Sequence, residues 1–353
     1  MSKISQKTNL IKAAILKNLR KPLVIKNLKF PKLSRGQVLV KIFYSGICRS
    51  QIFEIDGCRG KDRWLPHLLG HEGSGIIVEI GYGVKKVKKN DEVILTWIKG
   101  KGIDANQPKY ASNDIKINSG KVSTFSNYAV VSENRVIKKP KNLSFDLAVL
   151  FGCAVPTGMG MVTNEVKNVS NKSFAIVGIG GVGVFSIIAL KKRKVKEIIA
   201  IDKSSTKLNL ARKLGIKKCF NISEKKFMKK FLKATKNSGV DYCLETTGTT
   251  HGIEQGFSLI NKNNGKLLFA SHPPSGKKIK IDPHELIKGK KISGSWGGGT
   301  NPDTDIIKYY NILKQSKINF KKFIKIYKFN QINPAIKEAK KSNFTRIILE
   351  MEH

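Results

Sequence analysis

Acidic residues are scarce in this chain: 25 Asp+Glu stand against 66 Lys+Arg, a formal charge of +41 over 353 residues. Arginine is scarce too, since 9 of those cations are Arg and 57 are Lys. An arginine-rich nucleic-acid stripe is therefore excluded, and the lysines fall as scattered pairs such as Lys85-Lys86, Lys191-Lys192 and Lys321-Lys322, with few aromatics between them. Lys, Ile and Asn are all abundant, as AT-rich coding produces. The charge therefore reads as a solvated basic surface, with nucleic acid not expected as a partner. Cysteine is sparse. The five residues Cys48, Cys58, Cys153, Cys219 and Cys243 are odd in number and widely spaced, which argues against a disulfide scaffold and for a reducing compartment. Long apolar runs are missing: nothing approaches the roughly 18 to 20 residues of a membrane span. The opening MSKISQKTNLIKAAILKNLRK lacks the apolar centre of a secretory signal. A cytoplasmic protein without a membrane partner is expected.

What is present is globular. Hydrophobic residues make up 40% and charged residues 26%, enough to bury a core, and the length allows two domains. The first 150 or so residues read as β-rich, with short runs at Gln37–Tyr44, Gly75–Ile80 and Asp91–Trp97 separated by Gly, Asn and Lys. From Phe151 the rhythm changes. Ser173–Val177 is a short apolar strand before a glycine-rich turn, and Val182–Lys192 is helical in pattern. Glu197–Ile201 is a second buried strand and Ser204–Leu214 an amphipathic helix ended by Gly215; Asp241–Glu245 and Lys266–Ala270 repeat the strand pattern. Strands alternating with helices predict a doubly wound parallel sheet. The tail from Ser295 carries two helical stretches and a strand at Arg346–Glu350.

The turn GIGGVG runs from Gly178 to Gly183. Gly178 permits the tight turn, Gly180 lets backbone approach a pyrophosphate across Gly181 and Val182, and Gly183 allows close helix–strand packing, with the helix N-terminus favouring phosphate. Asp202 lies 24 residues beyond Gly178, where an acid accepts ribose hydroxyls and repels a 2′-phosphate. The pattern predicts NAD rather than NADP; the plainer alternative makes Asp202 a helix cap.

Three soft ligands sit in distinctive contexts: Cys48 in SGICRSQ, His71 in LLGHEGSG and Cys153 in FGCAVPTGMG. Two thiolates and one imidazole form a catalytic zinc set with a fourth position left open, and the thiolates cancel the zinc charge. With GHE at Gly70-His71-Glu72, Gly73, Gly75 and Gly81 after it, and Cys153 placed 25 residues before Gly178, the chain resembles the zinc-dependent medium-chain alcohol dehydrogenases over essentially its whole length.

The resemblance implies an α/β fold: a β-rich chaperonin-10-like catalytic domain (1–154 and 297–353) plus a doubly wound parallel-sheet Rossmann domain (155–296), with the active cleft between them. By it, Cys48, His71 and Cys153 hold zinc, Glu72 is a carboxylate near the metal, and Thr157 contacts the nicotinamide end of NAD. Arg49 and Arg346, the latter in SNFTRIILE, match arginines that pair with the pyrophosphate; Lys207 matches a lysine at the adenosine ribose. Ser50 matches the hydroxyl that takes the alcohol proton. Relatives often carry four cysteines for a structural zinc. Trp97–Tyr110 (WIKGKGIDANQPKY) has none, so one catalytic zinc per chain is expected. A homodimer or homotetramer is expected, although that lobe shapes subunit contacts in relatives. The histidine often found five residues after the first ligand is Phe53 here, so the proton must leave by water or another group.

The implied chemistry is reversible oxidation of a small-molecule alcohol to its aldehyde or ketone, with hydride passing to NAD. Polyol or sugar-type zinc dehydrogenases of a biosynthetic pathway are an alternative, weakened by Cys153 because those relatives usually carry glutamate there. An anionic-polymer-binding protein on a dehydrogenase scaffold is the alternative of another class. Cys58, Cys219 and Cys243 read as structural, and His67 as a loop or cleft residue. Trp64, Trp97, Phe125 and Met159 are read as pocket wall or core, with core preferred.

Overall fold

The structure, a computed structural model, describes residues 10–112, 115–316, 318–341 and 346–353. The opening nine residues and the SNFT before Arg346 lie outside the described residues. The chain divides into two compact units. The first holds everything described up to Cys153, together with Asn301–Ile307 and the described part of Asn319–His353; the second holds Ala154–Thr300 and the described part of Lys308–Ile318. The boundaries expected at 154/155 and 296/297 fall at 153/154 and 300/301, and 308–318 joins the second unit. Among the described residues no single helix is long and apolar enough to cross a membrane.

In the first unit the strand Gln37–Ile47 is central and buried along most of its length. It pairs antiparallel with Glu72–Ile80, Tyr128–Ser132 and Arg346–Glu350. The strands Glu92–Thr96 and Val136–Lys138 extend one side, and Ile324–Lys328 lies beyond Arg346–Glu350. The apolar residues of this sheet, among them Val38, Val40, Ile77, Val93 and Leu349, form one core with Ile332 and Ile336 of the helix Ile332–Lys341.

The second unit is a six-stranded parallel sheet. Its spatial order is Lys218–Asn221, Glu197–Asp202, Ser173–Val177, Tyr242–Glu245, Lys266–Phe269, Lys291–Gly294. Numbered along the chain this is 3-2-1-4-5-6, the doubly wound order with its switch point beside Ser173–Val177. The helices Gly181–Lys192, Ser205–Lys213, Phe227–Ala234 and Thr250–Leu259 alternate with the strands. Phe227, Phe231, Ile253 and Phe257 pack on Ala175, Ile199 and Leu267.

Candidate metal centre and dinucleotide turn

Strand pairing brings the soft ligands together. Cys48 follows the central strand directly, and His71 directly precedes Glu72–Ile80; these strands pair with Ser45 opposite Gly73. Gly70, at φ +92°, supplies the left-handed turn that reverses the chain before His71, and a Cβ there would come within 2.5 Å of Thr124 Oγ1. Thr96 pairs with Glu72 and donates through Oγ1 to the Gly152 carbonyl at 2.8 Å, which sets Cys153 at the same end of the sheet.

The result is a cluster in which the ligating atoms of Cys48, His71 and Cys153 all lie within 4.8 Å of one another. The two sulfurs are 4.0 Å apart; thiolates on a tetrahedral zinc, with Zn–S of about 2.3 Å, sit about 3.8 Å apart. His71 Nε2 is buried without a hydrogen-bond partner in the described protein. Donor set, spacing and this unpartnered nitrogen fit a zinc ion.

Charge is distributed unevenly around the cluster. The hydrogen bond shared with Cys153 holds the Cys48 thiol well below its ordinary range, against burial and with help from Arg346 and His71. The same bond, with burial, pushes Cys153 well above. Burial opposes a charged His71 ring, but the neighbouring Cys48 sulfur and the charge of Glu72 outweigh it and raise the imidazole. Glu72 is fully buried. Burial pushes its carboxyl up to about 7 although Arg346 opposes the shift. Its Oε1 lies 3.3 Å from Arg346 Nη1 in an ion pair, and Oε2 has no hydrogen-bond partner in the described protein.

Arg346 stands inside this centre. Register explains it: Ile347 pairs with Ile47, so Arg346 opposes Cys48. It is 7% exposed, and its Nη1 also donates to the Ile47 carbonyl at 3.3 Å. Burial works against its charge, but Glu72 and the two cysteines more than compensate. Arg49 is exposed, its guanidinium 5.0 Å from the Phe53 ring centroid. Ser50 Oγ is buried with no partner in the described protein. Thr157 is buried in the helix Ala154–Gly160 of the second unit.

Gln51 is the residue that sequence reading missed. It is buried at the third position of the helix Arg49–Ile55, where its Oε1 accepts from the Cys48 N–H at 3.0 Å. Its amide also hydrogen-bonds His71 Nδ1, leaving Nε2 toward the sulfurs. One side chain thus orients two ligands. The available signal was its spacing, three residues after a helix N-cap, where a Gln closes a capping box. Gln51→Ala is expected to weaken zinc about 10- to 100-fold, as loss of a ligand-orienting partner does. Competition with a chelating dye measures this; an unchanged affinity would reduce Gln51 to a helix cap.

In the second unit the glycine turn has the shape its sequence predicts. Gly178 is at φ +95°, and a Cβ on Gly183 would meet the Gly178 carbonyl at 2.0 Å, so helix and strand touch there. A Cβ on Gly180 would meet nothing within 4 Å; that side of the turn, at the N-terminus of Gly181–Lys192 with Gly181 and Val182 in its first turn, is open to a ligand. Asp202 is buried at the end of its strand. Its Oδ2 accepts from the Ile179 N–H at 2.7 Å, and Oδ1 from the Ser204 N–H at 2.9 Å. It therefore braces the turn and the next helix. Lys207 is half-buried in that helix.

Of the four pocket-or-core residues, Phe125 and Met159 are core, while Trp64 is 62% exposed. Trp97 is half-buried, with its ring 6.4 Å from that of His71. His67 is buried and paired through Nε2 with Asp62 at 2.8 Å.

Known proteins resemble the chain over most of its length. The profile of the alcohol dehydrogenase GroES-like domain matches residues 34–141, and that of the zinc-binding dehydrogenases matches 181–313. S-(hydroxymethyl)glutathione dehydrogenase of Photobacterium damsela subsp. piscicida is 28% identical over 316 residues, covering 82% of this chain and 85% of that protein. The solved benzyl alcohol dehydrogenase of Acinetobacter calcoaceticus superposes with TM-score 0.87 at 27% identity, covering 98% of this chain and 100% of that one. A zinc-binding-domain alcohol dehydrogenase protein of Burkholderia ambifaria gives 0.89 at 27%, covering 98% and 99%. The chain belongs to the zinc-dependent medium-chain alcohol dehydrogenases. As a member of that family it is an oxidoreductase of alcohols and their aldehydes. The Cys48–His71–Cys153 cluster of this alcohol dehydrogenase lies wholly in the first unit, and the glycine turn in the second.

Proposed function

We propose that the chain oxidises a small-molecule alcohol reversibly with NAD, using one zinc ion per chain. The observation that carries this is the convergence of two sulfurs and one imidazole nitrogen that has no hydrogen-bond partner among the described residues. Cys48, His71 and Cys153 would hold the zinc, and its chemistry there is Lewis-acid polarisation of an alcohol oxygen. Ser50, whose buried hydroxyl has no partner among the described residues, takes the alcohol proton. Glu72 and Arg346 keep the surroundings of the ligands near neutral.

NAD supplies the hydride acceptor. Gly178, Gly180 and Gly183, with the helix N-terminus at Gly181 and Val182, bind its pyrophosphate. Arg49 and Arg346, whose Nε is buried without a hydrogen-bond partner among the described residues, pair with it. Asp202 and Lys207 hold the adenosine ribose, and Thr157 the nicotinamide end. Asp202→Ala is expected to weaken NAD about 10- to 100-fold, the scale of a hydrogen bond to a charged group, while leaving NADP little changed. An unchanged NAD/NADP ratio would show that the acid only braces the turn.

A single zinc is supported by what ties down the stretch lacking cysteine. Glu133 accepts from the N–H groups of Lys85 and Lys86, each at 2.6 Å, and of Ile103 at 2.7 Å. Asp104 pairs with Lys121 at 2.6 Å. Carboxylates thus occupy the stapling role a second metal has in relatives. A homodimer or homotetramer is supported by the end strand Lys291–Gly294, flanked by Ile287 at 79% and Trp296 at 67% exposure. A cytoplasmic location completes the proposal. The direct test is an NAD-coupled screen of alcohols and aldehydes on purified, metal-analysed protein.

A further inference from the structure

The first unit contains a cavity of about 580 Å³ whose wall includes Gln51 and His71 of the metal centre. Glu54 of the same helix, Trp64, and Asn106, Gln107 and Lys109 from the stretch that replaces the metal lobe also line it. Ligand pockets are ordinarily lined mostly by apolar side chains with a few polar ones. Here polar and charged residues outnumber apolar ones along the wall.

The polar wall groups divide into two kinds. Asn118 Nδ2 donates to the Trp64 carbonyl at 2.8 Å and Ser119 Oγ to that of Pro108 at 2.5 Å, so these hold the wall in shape. Glu54, Asn106, Gln107 and Lys109 make no side-chain hydrogen bond among the described residues and face the cavity. One acid and one ammonium balance in charge, which suits a neutral ligand. The two amides both donate and accept, the carboxylate accepts and the ammonium donates, so the wall offers both kinds of partner to hydroxyl groups. The exposed Trp64 indole adds a flat apolar face, onto which the C–H side of such a ligand can lie. A plain alkyl chain would desolvate these groups without replacing their hydrogen bonds.

We infer that this cavity receives the hydroxyl-bearing chain of the substrate, so that the alcohol oxidised is polyhydroxylated. The inference rests on the alcohol-oxidising reading above. Cys153 in place of a glutamate speaks to the metal, and not to this wall.

The test compares xylitol with 1-pentanol, five carbons each, on zinc-loaded enzyme by NAD-coupled turnover, together with calorimetric titration of xylitol in the absence of NAD. Xylitol is expected to have the higher kcat/KM, by about 100-fold or more, since a site built to hydrogen-bond a ligand rejects one lacking the groups. Asn106→Ala/Gln107→Ala changes two exposed side chains and is expected to lower that ratio about tenfold and to weaken xylitol in the calorimeter. Equal or better use of 1-pentanol, or a ratio unmoved in the variant, overturns the inference. If no alcohol at all reduces NAD, the alcohol-oxidising reading fails. The calorimetry then decides the cavity separately: xylitol binding weakened by the variant keeps it as a polyol site, and absent binding ends it.

Discussion

Replacing Cys153 by alanine is expected to strip the protein of zinc and of turnover while NAD binding persists. Three side chains converge on the ligand position, and the loss of one thiolate leaves two. Full sets of ligands in structural zinc sites are worth about 10 to 16 kcal/mol; a quarter of that is about 3 kcal/mol, or two orders of magnitude in affinity. Zinc is then lost on dialysis. Without Lewis-acid polarisation turnover should fall on the order of a thousandfold, because polarisation by a metal is worth several kcal/mol. NAD affinity is expected to stay within a few-fold, because Gly178–Gly183 and Asp202 belong to the other unit. Metal analysis, steady-state rates and NAD titration of one preparation check all three. Full activity in the variant would sink the metal assignment.

The second large effect concerns stability. Arg346→Leu removes the cation from Glu72, whose carboxylate is fully buried. Breaking a buried pair by deleting one partner costs about 3 to 5 kcal/mol; burial already lifts the Glu72 carboxyl to about 7, so it takes up a proton when the cation is gone and the loss is expected at the lower end of that range. For a unit of this size that is a drop of about 10 °C in melting temperature. The double variant Arg346→Leu/Glu72→Gln is expected to recover much of the loss, because neither charge then remains buried. Urea unfolding of the parent, the single and the double variant measures the cycle. A single variant within about 1 kcal/mol of the parent would show that the pair contributes little.

How much could be read beforehand follows from which residues carry local signals. The ligand trio and the glycine turn were legible because each sits in a short, distinctive context. The central strands of the parallel sheet were legible because they are buried apolar runs. Lys218–Asn221 (KCFN) and Lys291–Gly294 (KISG) were not. They are the two outer strands, short and only partly buried, so they carry Lys and Ser where inner strands carry Ile and Val. Glu133 escaped for another reason: its partners are backbone N–H groups far along the chain, which no local pattern announces. Gln51 carried a local capping signal, but its bond to His71 depends on how the strands pair. Register likewise turned Arg346 toward Glu72, a contact that no spacing between positions 72 and 346 announces.

Zinc K-edge absorption on the purified protein tests the central claim most directly. The account predicts one zinc per chain with two sulfur neighbours at about 2.3 Å and nitrogen or oxygen neighbours at about 2.0 to 2.1 Å. A zinc surrounded by four sulfurs, by oxygen and nitrogen alone, or absent after loading would contradict it.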